Sequence, residues 1–177
     1  MIKPVISCIL LAQLSFAVPA DAETGTSRDW AWSTDEKDFY FAITTNSKDY
    51  ILGQYCYIGE GTCFYIVGMD IYCEPGNAYP ALMNSDKGAD HLVLKCVHEF
   101  EGHNILAVGN FEKFDELVRT ASRIGIVIPI EDDKFKMIRF SLLGSAVAIE
   151  HMRDAAKKAN RHDDAPAKSK SPDEELM

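Results

Sequence analysis

The chain predicts an α+β fold: an antiparallel β-sheet, sandwich-like or curved, with two helices in the C-terminal half and two disulfides stapling it. Three observations predict this. Side chains alternate at a period of two along residues 37–45 and again along 90–97. The period changes to helical spacing in two later stretches, after Asn110 and after Gly144. An even set of four cysteines follows a leader of export type. Strands first, then helix, hairpin and helix, is the order of α+β domains rather than of βαβ units.

The leader comes first. Lys3 precedes an apolar run, Val5 to Ala12, and the segment closes on Val18-Pro19-Ala20-Asp21-Ala22. A charged start, a short apolar core and an A-x-A site read as a secretory signal peptide over residues 1–22. The run is shorter than the roughly 20 residues that cross a bilayer, and no later stretch offers an uncharged alternative, so no transmembrane segment is expected. Cys8 lies inside the apolar core, not at the cleavage point where a lipid-anchored cysteine sits. The mature chain is expected to begin near Glu23, in the periplasm or outside the cell. It forms a single domain over residues 23–159, followed by a disordered charged tail over 160–177.

The chain has 27 acidic and 18 basic residues, a net charge of −9. The tail from His151 carries six of each sign, and Lys3 offsets Asp21, so the excess lies between Glu23 and Glu150. An acidic surface argues against nucleic acid and anionic membranes and allows a basic partner.

Export implies oxidised cysteines. Cys56, Cys63, Cys73 and Cys96 can pair in three ways, and the spacing favours Cys56–Cys63 with Cys73–Cys96. Gly59-Glu60 fits a two-residue hairpin turn with glycine first. That turn would make Cys56 and Cys63 a hydrogen-bonded pair about 5.5 Å apart. No C-x-x-C is present, so redox or zinc use of these thiols is disfavoured.

Along the chain, residues 37–45 alternate, with Phe39, Phe41 and Ile43 on one face and Tyr40, Ala42 and Thr44 on the other. Residues 50–57 and 62–67 make the bridged hairpin, 71–73 a short strand, and 90–97 another. Residues 99–104 read as a turn leading to a strand at 105–108. Phe111, Phe114, Leu117, Val118 and Ala121 mark the first helix, with Asn110 as N-cap and Gly125 as stop. A strand at 126–130, an acidic turn at 131–133 and a strand at 135–142 follow. The second helix spans 144–159, its stripe being Ala146, Ile149, Met152 and Ala156.

The closing segment ends in Arg139-Phe140-Ser141-Leu142-Leu143-Gly144-Ser145-Ala146-Val147-Ala148-Ile149. This helix–glycine–strand–turn–strand order, closed by Ser-Leu-x-Gly opening a helix, resembles the invasion-associated locus B family of small exported alphaproteobacterial proteins. The resemblance covers about a quarter of the chain. It implies a periplasmic or envelope-associated, cysteine-containing, β-rich domain with no established enzymatic activity. The stretch 99–110 carries no cysteine, where the family places its pair. No binding residue carries over. Ser141 and Ser145 read as helix-start and capping residues, outside any G-x-S-x-G nucleophile motif.

Chemistry-bearing patterns are few. His98-Glu99-Phe100-Glu101-Gly102-His103 is not H-E-x-x-H, because the second histidine comes one residue late. His98 and His103 could hold a metal loosely from a turn, with Glu99 or Glu101 helping; a solvated turn is the default and no metal or other cofactor is assigned. Glu131-Asp132-Asp133 is too short for a calcium loop. The first half is rich in aromatic rings. Tyr55 and Tyr57 alternate onto the face opposite Cys56, and Trp30 and Trp32 share a face. Exposed, such faces are interaction surfaces; under a helix, they are core. Residues 74–89, rich in Pro, Gly, Asn and Ser, read as a long irregular loop tied at its base by Cys73–Cys96, with Tyr79, Leu82 and Met83 as its apolar points.

These readings point to a non-enzymatic exported protein that binds another macromolecule: an accessory factor, or an inhibitor of an envelope or secreted enzyme. Its partner would be a protein of the cell envelope or an exported target. The alternative is a periplasmic small-molecule or metal-binding module, and a hydrolase with a dispersed site comes third.

Overall fold

A computed structural model describes residues 23–100, 102–130 and 134–163. The signal segment, the acidic turn at 131–133 and residues 164–177 of the charged tail lie outside the described residues. The strands are β1 (Thr24–Ser27), β2 (Trp30–Ser33), β3 (Phe39–Thr45), β4 (Ile51–Tyr57), β5 (Cys63–Met69), β6 (Ala78–Ser85), β7 (Gly88–Phe100), β8 (His103–Val108), β9 (Arg123–Ile130) and β10 (Lys134–Ser141). The helices are α1 (Phe111–Thr120), between β8 and β9, and α2 (Ser145–Asp163), after β10.

All ten strands join one sheet in the order β1-β2-β3-β4-β5-β8-β7-β6-β9-β10. Every pairing is antiparallel. Register follows the alternation, since a slip of one residue would turn every core side chain to solvent. The row Trp32, Ala42, Gln54, Tyr65 crosses β2 to β5 and is buried throughout. Ile124, Ile126 and Ile128 of β9, with Ile138 and Phe140 of β10, continue the same core. Both helices lie on this face. Phe114 of α1 meets Tyr65 edge-on with ring centres 5.1 Å apart, and His151 of α2 stacks on Trp32 at 4.8 Å.

The sheet curls until its last strand returns to its first ones. Trp30 Nε1 donates to the Ser141 carbonyl at 3.0 Å, and the Asp29 N–H to that of Leu143 at 3.2 Å. Asn46 Nδ2 donates to the Arg139 carbonyl at 3.2 Å, and Lys136 of β10 pairs with Asp70 just past β5. The curved alternative of the sequence reading is the one realised.

Both favoured disulfides are present, Cys56–Cys63 and Cys73–Cys96, with Cα separations of 4.0 and 5.9 Å. The hairpin turn differs from expectation. The Tyr57 N–H bonds the Thr62 carbonyl at 2.9 Å, so the loop holds the four residues 58–61, and Gly59 and Gly61 both take positive φ (88° and 65°). The longer loop shifts the ladder's parity. Cys56 and Cys63 become a non-hydrogen-bonded pair, the closer of the two antiparallel sites.

Other expectations are corrected. Residues 71–73 alternate in burial but form no strand, because no neighbouring chain pairs with them. Residues 74–89 are not a loop. They hold β6, whose Ala81 and Met83 are buried while Leu82 is exposed. Pro80 is tolerated because β9 pairs with β6 only over Leu82–Ser85, so Pro80 has a neighbouring strand on one side alone. Asn110 precedes α1, but its side chain makes no cap bond. The helix stops at Thr120, where Ala121 turns extended, and Gly125 lies inside β9. In α2 the buried stripe is Ala148, Ile149, Met152 and Ala156, with Ala146 only half-buried. The helix also runs past Ala159 to Asp163, where a disordered tail was expected. Asn160 explains part of this: its Oδ1 accepts the Gly59 N–H at 2.6 Å and ties α2 to the bridged hairpin.

Candidate functional site

Since both helices cover one face of the sheet, the side chains of opposite parity form an open face. On β3 to β5 these include Phe39 and Phe41, then Tyr55 and Tyr57, then Phe64. Cross-strand register brings the rings together. Phe41 and Tyr55 stand directly opposite with centres 5.6 Å apart; Tyr55 and Phe64 are also opposite, at 6.2 Å. Phe39 lies 5.5 Å from Tyr55, and Tyr57 lies 5.5 Å from Phe64. Each such contact contributes about 0.5–1.5 kcal/mol beyond simple burial, so the rings hold one another in place. They remain partly open to solvent, Tyr57 by 41%. Packing among its neighbours pushes the Tyr55 phenol pKa above its ordinary value by desolvation. Beside the rings, Ile66 and Ile105 are buried on this face without joining the main core.

Under the ladder, the covered face carries a polar knot whose charged members, Asp115 and Arg153, are half-buried. Arg153 of α2 pairs with the Asp115 carboxylate of α1 and donates through Nε to Gln54 Oε1 at 2.6 Å. The Tyr65 hydroxyl donates to Asp115 Oδ1 at 2.7 Å. Burial, and then that bond to a carboxylate, raise the Tyr65 pKa far above the usual phenol range. Each charge has a partner, so this knot fastens both helices to β4 and β5.

The sequence-predicted site residues separate. Tyr55 and Tyr57 sit in the open-face ladder. Trp30, only 1% exposed, and Trp32 are core residues beneath α2, which removes them from any surface. Met83 is likewise core, at 1%. Leu82 projects from β6 at 59% exposure. The half-buried Tyr79 uses its hydroxyl to accept the Glu74 N–H at 2.9 Å. These three do not join Tyr55 and Tyr57, because β5, β8 and β7 separate β6 from β4. His98 stands opposite Ile105, and His103 opposite Phe100 and edge-on to Tyr50 at 6.2 Å, so the two histidines are not register partners. Among the described residues no group of three His, Cys, Asp or Glu side chains could hold a metal ion. The site list drawn from the sequence omitted Phe39, Phe41 and Phe64. The signal was the shared parity of three neighbouring strands, which becomes usable once their pairing is known.

The class defined by this architecture is a curved antiparallel sheet stapled by two disulfides, with both helices on one face. Among the described residues no helix is long and apolar enough to cross a membrane. The disulfides fit an exported protein. No family model and no curated protein matches the chain. Among solved structures it is similar to the crystal structure of invasion associated protein B from Bartonella henselae, with a TM-score of 0.55 and 12% identity over 77% of this chain and 99% of that one. At that identity the likeness is one of fold, the level at which the resemblance read from residues 111–156 holds.

Proposed function

We propose that this is a non-enzymatic exported protein of the periplasm or cell envelope that binds another protein through the open face of β3 to β5, as an accessory factor or as an inhibitor of an envelope or secreted enzyme. The observation that carries this reading is the ladder of Phe39, Phe41, Tyr55, Tyr57 and Phe64, a pre-ordered set of rings left uncovered by both helices. Rigid aromatic rings lose little entropy on docking and dominate binding energy at protein interfaces. The net charge of −9 suits a target with a basic rim around such a contact. The fold-level likeness to the Bartonella protein is compatible with export and carries no partner across.

A photo-crosslinking amino acid at position 57, compared with one at the exposed position 72 outside the ladder, tests the reading in the native envelope. A discrete adduct of one mass from position 57, lost when Phe64→Ser is added, is the expected result. Equal labelling from both positions, or none from position 57, would overturn it.

A further inference from the structure

The other half of the open face holds a different kind of feature. Between β6, β9 and β10 lies a groove of about 490 Å³ lined by Asn84, Arg123, Gly125, Val127, Met137 and Arg139. Register arranges it in rows. Asn84, Gly125 and Arg139 stand side by side across the three strands, and Leu82, Val127 and Met137 form the next row. Arg123 is two residues further along β9 on the same parity. The polar row therefore has a hole at its centre, an arginine on one flank and another behind it. The apolar row lies in front, with Met137 53% exposed.

The hole comes from a glycine that the backbone does not require. Gly125 has no positive φ, and its strand is regular across all eight pairs with β10. A Cβ placed there would meet its nearest atom, the Asn84 carbonyl oxygen, at 3.7 Å, an ordinary contact. Gly53 contrasts with it, since a Cβ there would stand 2.4 Å from Ile43. A strand interior favours a β-branched residue, and glycine weakens it unless something must approach the backbone. Charge points the same way. The chain has nine more acidic than basic residues, yet among the described residues neither Arg123 nor Arg139 makes an ion pair through its guanidinium. The nearby carboxylate of Asp86 is held by the Ser122 N–H and hydroxyl instead.

We infer that this groove binds an oxyanion, a carboxylate or phosphate, carried on an apolar body. The anion would sit over Gly125, gripped by Arg123 and Arg139 with the Asn84 amide as a further donor, and the apolar body would lie along Leu82, Val127 and Met137. Planar guanidinium forks suit both oxyanions. The inference concerns other residues than the aromatic ladder and stands or falls separately from it.

The test is an amide-resonance titration of the purified protein with hexyl phosphate, hexanoate, inorganic phosphate and hexanol. Saturable shifts centred on Gly125, Val127 and Met137 are expected for hexyl phosphate or hexanoate, at least about tenfold tighter than for hexanol, with Arg123→Ala and Arg139→Ala each weakening binding about tenfold. Gly125→Val fills the hole and should abolish the shifts without lowering the melting temperature. Unchanged binding by that variant, no saturable shift with either amphiphile, or hexanol binding as tightly would overturn the site. Inorganic phosphate binding as tightly as hexyl phosphate would overturn the apolar half of the assignment.

Discussion

Gly144 shows how much can rest on one missing methyl group. It opens α2 at φ 94°, and a Cβ there would stand 1.8 Å from the Ser27 carbonyl oxygen, which is backbone and cannot step aside. Gly144→Ala is therefore expected to cost at least about 2 kcal/mol, read as a lowered denaturant midpoint with unchanged slope. The neighbouring Ser145 is buried, with its hydroxyl 2.6 Å from the Val118 carbonyl and 2.8 Å from that of Leu142. It donates to one of them at a time and binds the start of α2 to α1, rather than capping N–H groups as the sequence reading had it. The Ser-Leu-x-Gly motif was legible in the sequence. Its reason was not, because Ser27 and Val118 are remote in the chain. At Asp115 the same logic gives a graded pair of outcomes. Tyr65→Phe removes one hydrogen bond and should cost about 1 kcal/mol, whereas Asp115→Ala leaves Arg153 and Tyr65 without their shared acceptor and should cost about 3 kcal/mol. Equal losses in chemical denaturation would refute this account of the knot.

The disulfides act on larger pieces. Cys56–Cys63 closes a hairpin that its own ladder already holds, with a sequence separation of 7. Cys73–Cys96 has a separation of 23 and ties the 71–77 stretch, which joins no strand, to β7, where the Gly76 N–H donates to the Cys96 carbonyl and the Cys96 N–H to the Asn77 carbonyl, both at 2.9 Å. Loop entropy makes the second bridge worth about 1 kcal/mol more than the first. Paired substitution of Cys73 and Cys96 by Ser should therefore lower the melting temperature further than the same change at Cys56 and Cys63. The reverse order would refute that. Strands and helices with strong periodicity, such as β3 and α1, were legible from the chain. β6 was not, because its Pro, Asn and Ser resemble loop composition. Only its placement between β7 and β9 makes Ala81 and Met83 core.

Closure of the sheet depends on a few long-range contacts. Asp70 takes hydrogen bonds from Lys136 and from the Tyr50 hydroxyl, the latter at 2.5 Å, and Lys136 lies over the Tyr50 ring at 4.9 Å. The Lys136 bond and then the Tyr50 bond hold the Asp70 carboxyl below its ordinary pKa. A depressed folded value means that its contribution is present above the unfolded carboxylate pKa and is lost as pH falls through the folded one. Because Asp70 is largely exposed, that contribution is screened to below about 1 kcal/mol. Asp70→Asn should lower the melting temperature near neutrality and converge on the parent protein in acid; parallel curves would refute the link. The sequence by its own periodicity determined an α+β chain with an antiparallel sheet, two C-terminal helices and the disulfide pairing, because alternation and cysteine spacing are local properties. The curl of the sheet, the burial of Trp30 and Trp32, and the uncovered faces of β3–β5 and of β6, β9 and β10 were decided by tertiary structure. Which parity is buried depends on where the helices land, and no local pattern records that.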